Sequence, residues 1–249
     1  MSHWPLLFHN ANLSLNPTGS LWWEGESLLC VADLHLGKSE RMARRGGSLL
    51  PPYETSETLD RLSREIDALE PRNVVCLGDS FDDLESAGAL GEANTERLLA
   101  MMAGRNWIWI TGNHDPGPVT LPGTHCAEHH LNGLVFRHIA EPDGVGEISG
   151  HYHPKARLRL RGVGISRPCF LVDGSRLILP AFGAFTGGLC TTDAAFADVM
   201  GNDALAVLTG TKTAAIPMPR PPRRARNQEM SKTRNFPLKT SGRPRKPLL

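Results

Sequence analysis

Closely spaced cysteines are missing from this 249-residue sequence. Cys30, Cys76, Cys126, Cys169 and Cys190 lie far apart, are odd in number and show no CxxC spacing. That pattern points to reduced thiols in a cytoplasmic protein, with Cys30 and Cys76 inside apolar strand patterns as core residues. Long apolar runs are missing too: none approaches the ~20 residues needed to span a bilayer, so no membrane association is expected. The first residues, MSHWPLLFHN, lack a basic segment followed by a long apolar stretch, so no secretory leader is expected. No internal repeat is evident. The chain has the length and the ordinary apolar fraction needed to bury a sizeable core.

Charge, by contrast, is present but unevenly placed. The formal net charge is +1. From Pro217 onward there are ten Lys/Arg against one acid, Glu229, a net +9, which leaves residues 1–216 with a net −8. Residues 217–249 are rich in proline and arginine and have almost no apolar periodicity. Such a segment cannot offset the entropy of ordering and is expected to be a disordered tail on a domain of residues 1–216. A basic arm attracts polyanions by counterion release; a solvated tail with no partner is the alternative.

Along residues 1–216 the pattern is mixed. LLFHNANLSLN reads as a hairpin, and strands follow at 28–32, 73–77, 107–111, 134–137 and 146–149. Residues 54–69 place Leu59, Leu62, Ile66 and Leu69 at helical spacing before Pro71, and 92–103 reads as a second helix. CFLVDGSRLILP and ALAVLTGTKTAAI are later strands, and TTDAAFADVM suggests a short helix with a Thr cap. Helices alternate with strands early and strands dominate late, so the expected fold is an α/β sandwich of mixed sheets with helices outside.

The polar residues fall at the strand ends. The five strands terminate in DLH, GDSFDD, GNHD, a lone His and GHYH. Ligand sites in open α/β sheets form beyond the carboxyl ends of strands. Convergence of the five ends would gather Asp33, His35, Asp79, Asn113, His114, His138, His151 and His153 around one hollow. Read by strand alternation, His151 and His153 project to one side roughly 7 Å apart at their roots, as do Asp33 and His35. Two charged imidazoles are uncomfortable that close, whereas two neutral rings suit neighbouring cations. On that segment alone, a pair of surface histidines at a turn is the competing interpretation. A nitrogen and oxygen donor set without thiolate favours Mn, Fe, Zn or Co over an iron–sulfur centre or a calcium cage. Two such ions ~3.5–4 Å apart lower the pKa of a shared water and clamp the oxygens of a displacement at phosphorus.

In combination these motifs resemble those of the calcineurin-like metallophosphoesterase superfamily, over roughly residues 25–190. The resemblance implies a four-layer sandwich of two mixed β-sheets flanked by helices, with a dinuclear site. Carried over by motif, one metal, most readily Mn2+, would take Asp33, His35, Asp79 and His153. The second would take Asp79, Asn113, His138 and His151. His114 would face the scissile phosphate with Asp115 orienting its ring. His138 stands alone in FRHIAEP, without the fuller His-Gly signature of many members. His125, His129 and His130, in an Asn/Gly-containing loop, read as solvated instead.

VADLHLGKSERMARRG, GHYHPKARLRLRG, SRPCFLV and LPAFGAFTGG more narrowly resemble the ligase-associated metallophosphoesterase family PdeM. This implies a phosphodiesterase or endonuclease acting on damaged DNA, alongside a ligase, a helicase and an exonuclease. Lys38 follows DLHLG directly and Arg41, Arg44 and Arg45 lie one to two helical turns on. Arg157, Arg159 and Arg161 alternate with leucine, and such a row can follow a nucleic-acid backbone; a charged edge strand that blocks aggregation is the other interpretation. Phe182 and Phe185 read as core, in a loop able to wall the site. A small-molecule phosphohydrolase and a non-catalytic scaffold of a repair assembly stay open as alternatives, and no feature sets an oligomeric state.

Overall fold

The structure, a computed structural model, describes residues 3–46, 53–160 and 162–220. Arg161 and the segment 221–249, which includes most of the expected basic tail, lie outside the described residues.

Two β-sheets face one another. The first has seven strands lying side by side in chain order: β1 (Trp4–Phe8), β2 (Ala11–Leu15), β3 (Leu21–Trp23), β4 (Leu28–Val31), β5 (Asn73–Cys76), β6 (Asn106–Ile110) and β7 (Thr124–Cys126). The pairings from β1 to β4 are antiparallel and those from β4 to β7 parallel. The second sheet holds β8 (Glu128–Leu131), β9 (Leu134–Arg137), β10 (Glu147–Ser149), β11 (Lys155–Leu160), β12 (Val163–Val172), β13 (Arg176–Ile178), β14 (Leu205–Leu208) and β15 (Ala214–Pro217). Its order is β15-β14-β12-β13-β10-β9-β8, with β11 folded onto β12 as a hairpin. β9, β10 and β13 run parallel.

Alternation explains the layers. Leu28, Cys30 and Leu77 of the first sheet point inward against Phe136, Phe170 and Leu177 of the second, forming the central core. Leu29, Val31, Val74 and Cys76 point the other way, onto α2 (Glu54–Leu69) and α4 (Glu92–Met102). The two short helices α1 (Lys38–Arg44) and α3 (Leu84–Gly88) follow the ends of β4 and β5. On α2 the buried stripe is Leu59, Leu62 and Ile66, each stabilising the fold by roughly 1.5–3 kcal/mol when fully removed from water. The helix stops at Glu70, whose backbone is left-handed (φ 46°), just before Pro71, which cannot continue a helix. The outer face of the second sheet buries Cys169, Leu171, Ile178 and Ala206 under Phe196, Val199 and Met200. That cover, expected as a short helix, is a single 3-10 turn, Ala194–Phe196. The Asp193 side chain caps one turn only, and the chain then turns down so that Val199 and Met200 reach the sheet.

Other details depart from the sequence expectation. His125 lies on β7, and His129 and His130 on β8, which hairpins onto β9. Their strands are short and carry polar residues on both faces, so no alternation announces them. The packed body also runs past Ile216: Met218 is buried and the Arg220 guanidinium donates to the carbonyls of Met200 and Gly201. No helix among the described residues is long and apolar enough to cross a membrane.

Candidate metal centre

Parallel strands end on the same side. The carboxyl ends of β4, β5 and β6 therefore lie abreast, and those of β9 and β10 meet them from the opposite sheet. Backbone hydrogen bonds lock the ends together: the N–H of His35 donates to the Asp79 carbonyl (2.9 Å) and that of Gly150 to the His138 carbonyl (3.0 Å).

The polar residues do not sit on the strands themselves. β4 ends at Val31 and β10 at Ser149, so Asp33, His35, His151 and His153 lie on the turns beyond. Strand alternation therefore does not aim them. Asp33 (φ 54°), His35 (48°), Asp79 (45°), His151 (70°) and His153 (45°) all take left-handed backbone conformations. Such conformations are costly for residues with a Cβ and cluster at functional sites in proteins generally.

Two clusters result. Asp33, His35 and His153 bring one ligand atom each within 4.8 Å of one another, and so do Asp79, His138 and His151. The two histidines of GHYH thus divide between the clusters. His153 Nε2 is 3.2 Å from Asp33 Oδ1 and 3.4 Å from His35 Nε2. His138 Nε2 is 3.4 Å from Asp79 Oδ2, 3.2 Å from His151 Nδ1 and 3.0 Å from Asn113 Oδ1. A third grouping, His35, Asp79 and His114, joins the two. All eight residues gathered by motif therefore converge on one site.

The surrounding hydrogen bonds fix which nitrogen faces inward. His35 Nδ1 donates to Asp82 Oδ1 (2.8 Å) and His138 Nδ1 to the Leu77 carbonyl (2.8 Å), neither of which can donate in return. In the neutral rings each Nε2 is then a bare lone pair. The His138 lone pair points at the oxygens of Asn113 and Asp79, and that of His35 at the His153 ring. An imidazole lone pair facing a carboxylate oxygen, as in His138 and Asp79, is stable only with a positive charge between them, either a proton or a cation. The titration behaviour agrees. Burial lowers the His138 pKa, but its hydrogen bond to Asp79 and the charges of Asp33 and Asp79 outweigh burial and leave it raised. Burial would raise Asp79, yet the hydrogen bond and charge of His138, the His114 N–H and the charge of His35 hold it down at about 2. His151 is lowered by burial and by the charge of His138. The donor set and its polarity fit divalent cations.

Two glycines allow this crowding. A Cβ on Gly112 would stand 2.1 Å from the Asp79 nitrogen and 2.2 Å from Asp79 Oδ1, and one on Gly150 would stand 2.6 Å from Asp33 Oδ2.

Asp115 does not orient the His114 ring. Its Oδ1 accepts the N–H groups of Asp79 (3.0 Å) and Gly112 (3.0 Å), and its Oδ2 those of Ser80 (2.8 Å) and Phe81 (3.2 Å). Its role is to hold the loop that carries Asp79; burial, with the Asp79 charge beside it, raises its pKa despite those donors. The His114 ring is instead held by Nδ1–H donating to the Asp82 carbonyl (2.9 Å), and its backbone N–H donates to Asp79 Oδ1 (2.8 Å). Asp82, the final residue but one of GDSFDD, carries no signal in the sequence that separates it from its neighbours. It binds His35, His114 and the Arg41 guanidinium at once.

The flanking basic residues divide. Arg41 is committed to Asp82, and Arg44 to Asp83 (2.9 Å) and Glu85 (3.4 Å). Lys38 starts α1; the Lys155 pKa is lowered by burial and then by the Lys38 charge. Arg157 and Arg159 are exposed on β11, on the strand face that also holds Lys155. Phe182 is fully buried as expected, but Phe185 is 45% exposed. On a left-handed backbone (φ 56°), its ring packs edge-to-face with Tyr53, itself exposed, rather than into the core.

The calcineurin-like phosphoesterase family model matches residues 27–165. No curated protein matches the chain. Among solved structures, the Pseudomonas putida nuclease MPE is similar, with a TM-score of 0.69 and 27% identity over 86% of this chain and 100% of that one. A family match spanning more than half the chain, together with a similar fold and twin clusters of metal-ligating groups, places this chain in the calcineurin-like phosphoesterase family, metal-dependent hydrolases of phosphoester bonds.

Proposed function

We propose that this protein is a dinuclear-metal nuclease that hydrolyses phosphodiester bonds in DNA. The observation that carries the proposal is the pair of clusters at five strand ends, joined through His35 and Asp79 and built from imidazoles and carboxylates. Asp33, His35, Asp79 and His153 would hold one ion, and Asp79, Asn113, His138 and His151 the other. When bound, two divalent cations supply Lewis acidity to a water and to the phosphate oxygens. The nitrogen and oxygen donors suit Mn, Fe, Zn or Co, with Mn2+ the first candidate.

The protein's own groups supply the rest. Asp79 reaches both clusters and keeps its charge to low pH, so it would screen two bound cations from each other. Asp82 fixes the His35 ring. His114 keeps its Nε2 free of the hydrogen bond that occupies Nδ1, and a proton carried there can pass to the leaving oxygen. Lys38, Arg157 and Arg159 would meet phosphates flanking the bond that breaks. The similarity to a solved nuclease supports nucleic acid as substrate, and the likeness to the ligase-associated family supports a role in DNA repair beside ligase, helicase and exonuclease partners.

The test is a matrix of metals against substrates with the purified full chain. Mn2+-dependent cleavage of single- or double-stranded DNA is expected, lost with Asp79→Ala and with His114→Ala. Hydrolysis of bis-p-nitrophenyl phosphate without cleavage of any nucleic acid would instead identify a small-molecule phosphohydrolase.

A further inference from the structure

The loop from Phe182 to Gly188 is anchored at both ends to the metal centre. At one end the Phe182 and Gly183 N–H groups donate to the carbonyls of Ala32 (2.8 Å) and Asp33 (3.2 Å). At the other, a Cβ on Gly188 would lie 2.2 Å from the His153 carbonyl oxygen, so that end packs directly on His153. Between them the Ala184 N–H donates to Thr58 Oγ1 of α2 (2.9 Å), and Lys155 Nζ donates to the Thr186 carbonyl (3.0 Å). A loop so tied has little freedom to move. Phe185 stands at its midpoint.

Three facts set Phe185 apart from an ordinary surface apolar residue. Its backbone is left-handed, which a bulky residue adopts only at a cost that the surroundings impose. Its side chain is nearly half exposed, so burial offsets that cost only in part. The ring meets a second exposed aromatic, Tyr53, which is 57% exposed at the start of α2, with centroids 6.1 Å apart and planes at 67°. Beside the pair, the Lys155 ammonium is held by the same loop. Aromatic faces next to a cation, on a loop tied to Asp33 and His153, match the chemistry of an unpaired nucleotide: a π-face with a phosphate at fixed distance.

We infer that Tyr53 and Phe185 form a stacking platform for an unpaired nucleobase adjoining the scissile phosphate, with Lys155 receiving its phosphate. A base inside a duplex has both faces covered by its neighbours and cannot use the platform. This inference rests on the nuclease proposal and assigns the residues that would hold the nucleotide beside the same site.

The experiment uses the full chain and a single-stranded oligonucleotide carrying one 2-aminopurine, whose fluorescence reports stacking, moved stepwise along the strand. Cleavage of the same strand and of its duplex is followed in parallel. With wild-type protein, one position next to the cut is expected to show a stacking signal, and KM is expected to be lower for the single strand than for the duplex. Phe185→Leu and Tyr53→Leu keep apolar bulk without a ring and are expected to raise the single-strand KM roughly five- to hundredfold, with a smaller change in kcat. Phe185→Trp restores it. Phe185→Gly relieves the backbone and is expected to raise the melting temperature while raising KM, a divergence that a misfolded variant cannot produce. A stacking signal and KM unchanged by both leucine replacements would overturn the platform while leaving the nuclease standing. Ring-dependent stacking without cleavage would support the platform and overturn the nuclease proposal.

Discussion

A methyl group on Gly112 has nowhere to go, because the atoms it would meet are the Asp79 backbone and the carboxylates of Asp79 and Asp115 rather than a flexible side-chain tip. Gly112→Ala should therefore displace Asp79, and a shift of that size is expected to lower cleavage about a hundredfold; the rate with saturating Mn2+ measures it. Asp82→Asn is milder: it weakens the acceptor that fixes His35 and is expected to loosen metal binding roughly 10- to 100-fold, read by metal titration of the variant. His138 makes a pH prediction. Its pKa is raised in the metal-free protein, and because Nδ1 already donates to Leu77, the extra proton sits on Nε2, the atom that would face the metal. Metal loading near neutral pH should release that proton, and affinity should fall as pH drops through the raised value. Calorimetry in buffers of different ionisation enthalpy checks this; a proton count of zero would contradict it. At this scale the residues that converge are legible in the sequence, because their types and motifs are distinctive. The work of Asp82 and Asp115 is not, since their partners are backbone groups and rings supplied by distant turns.

At the scale of elements, the β11–β12 hairpin carries the exposed Arg157 and Arg159 beyond the metal centre. If it tracks a nucleic-acid backbone, Arg157→Ala and Arg159→Ala should each flatten the salt dependence of single-strand binding by about 0.7 in log–log slope for every phosphate left without its guanidinium. Unchanged slopes would leave the hairpin as a protected edge. The helix α2 is legible because its apolar stripe repeats at helical spacing over about three turns; Leu62→Ala, at its buried centre, is expected to cost about 2–5 kcal/mol in chemical denaturation. The apolar parallel strands are equally plain. β7 and β8 are not, since three or four polar residues between turns carry no period. The left-handed turns after β4, β5 and β10 are hidden for a different reason: Asp and His do not advertise such a backbone as glycine does, and tertiary packing imposes it.

At the scale of the molecule, two sheets closing on a shared core bring residues 33 and 153, more than a hundred positions apart, to 3.2 Å. No single element of the chain holds either cluster, so the centre exists only when the sandwich is complete. Asp79 is the residue on which both halves depend. The most direct measurement is elemental analysis of bound Mn2+ in wild-type and Asp79→Ala protein, paired with DNA cleavage by each. The account predicts about two ions per wild-type chain, and loss of metal and cleavage together in the variant. An Asp79→Ala protein that kept both ions, or cut DNA at the wild-type rate, would contradict it.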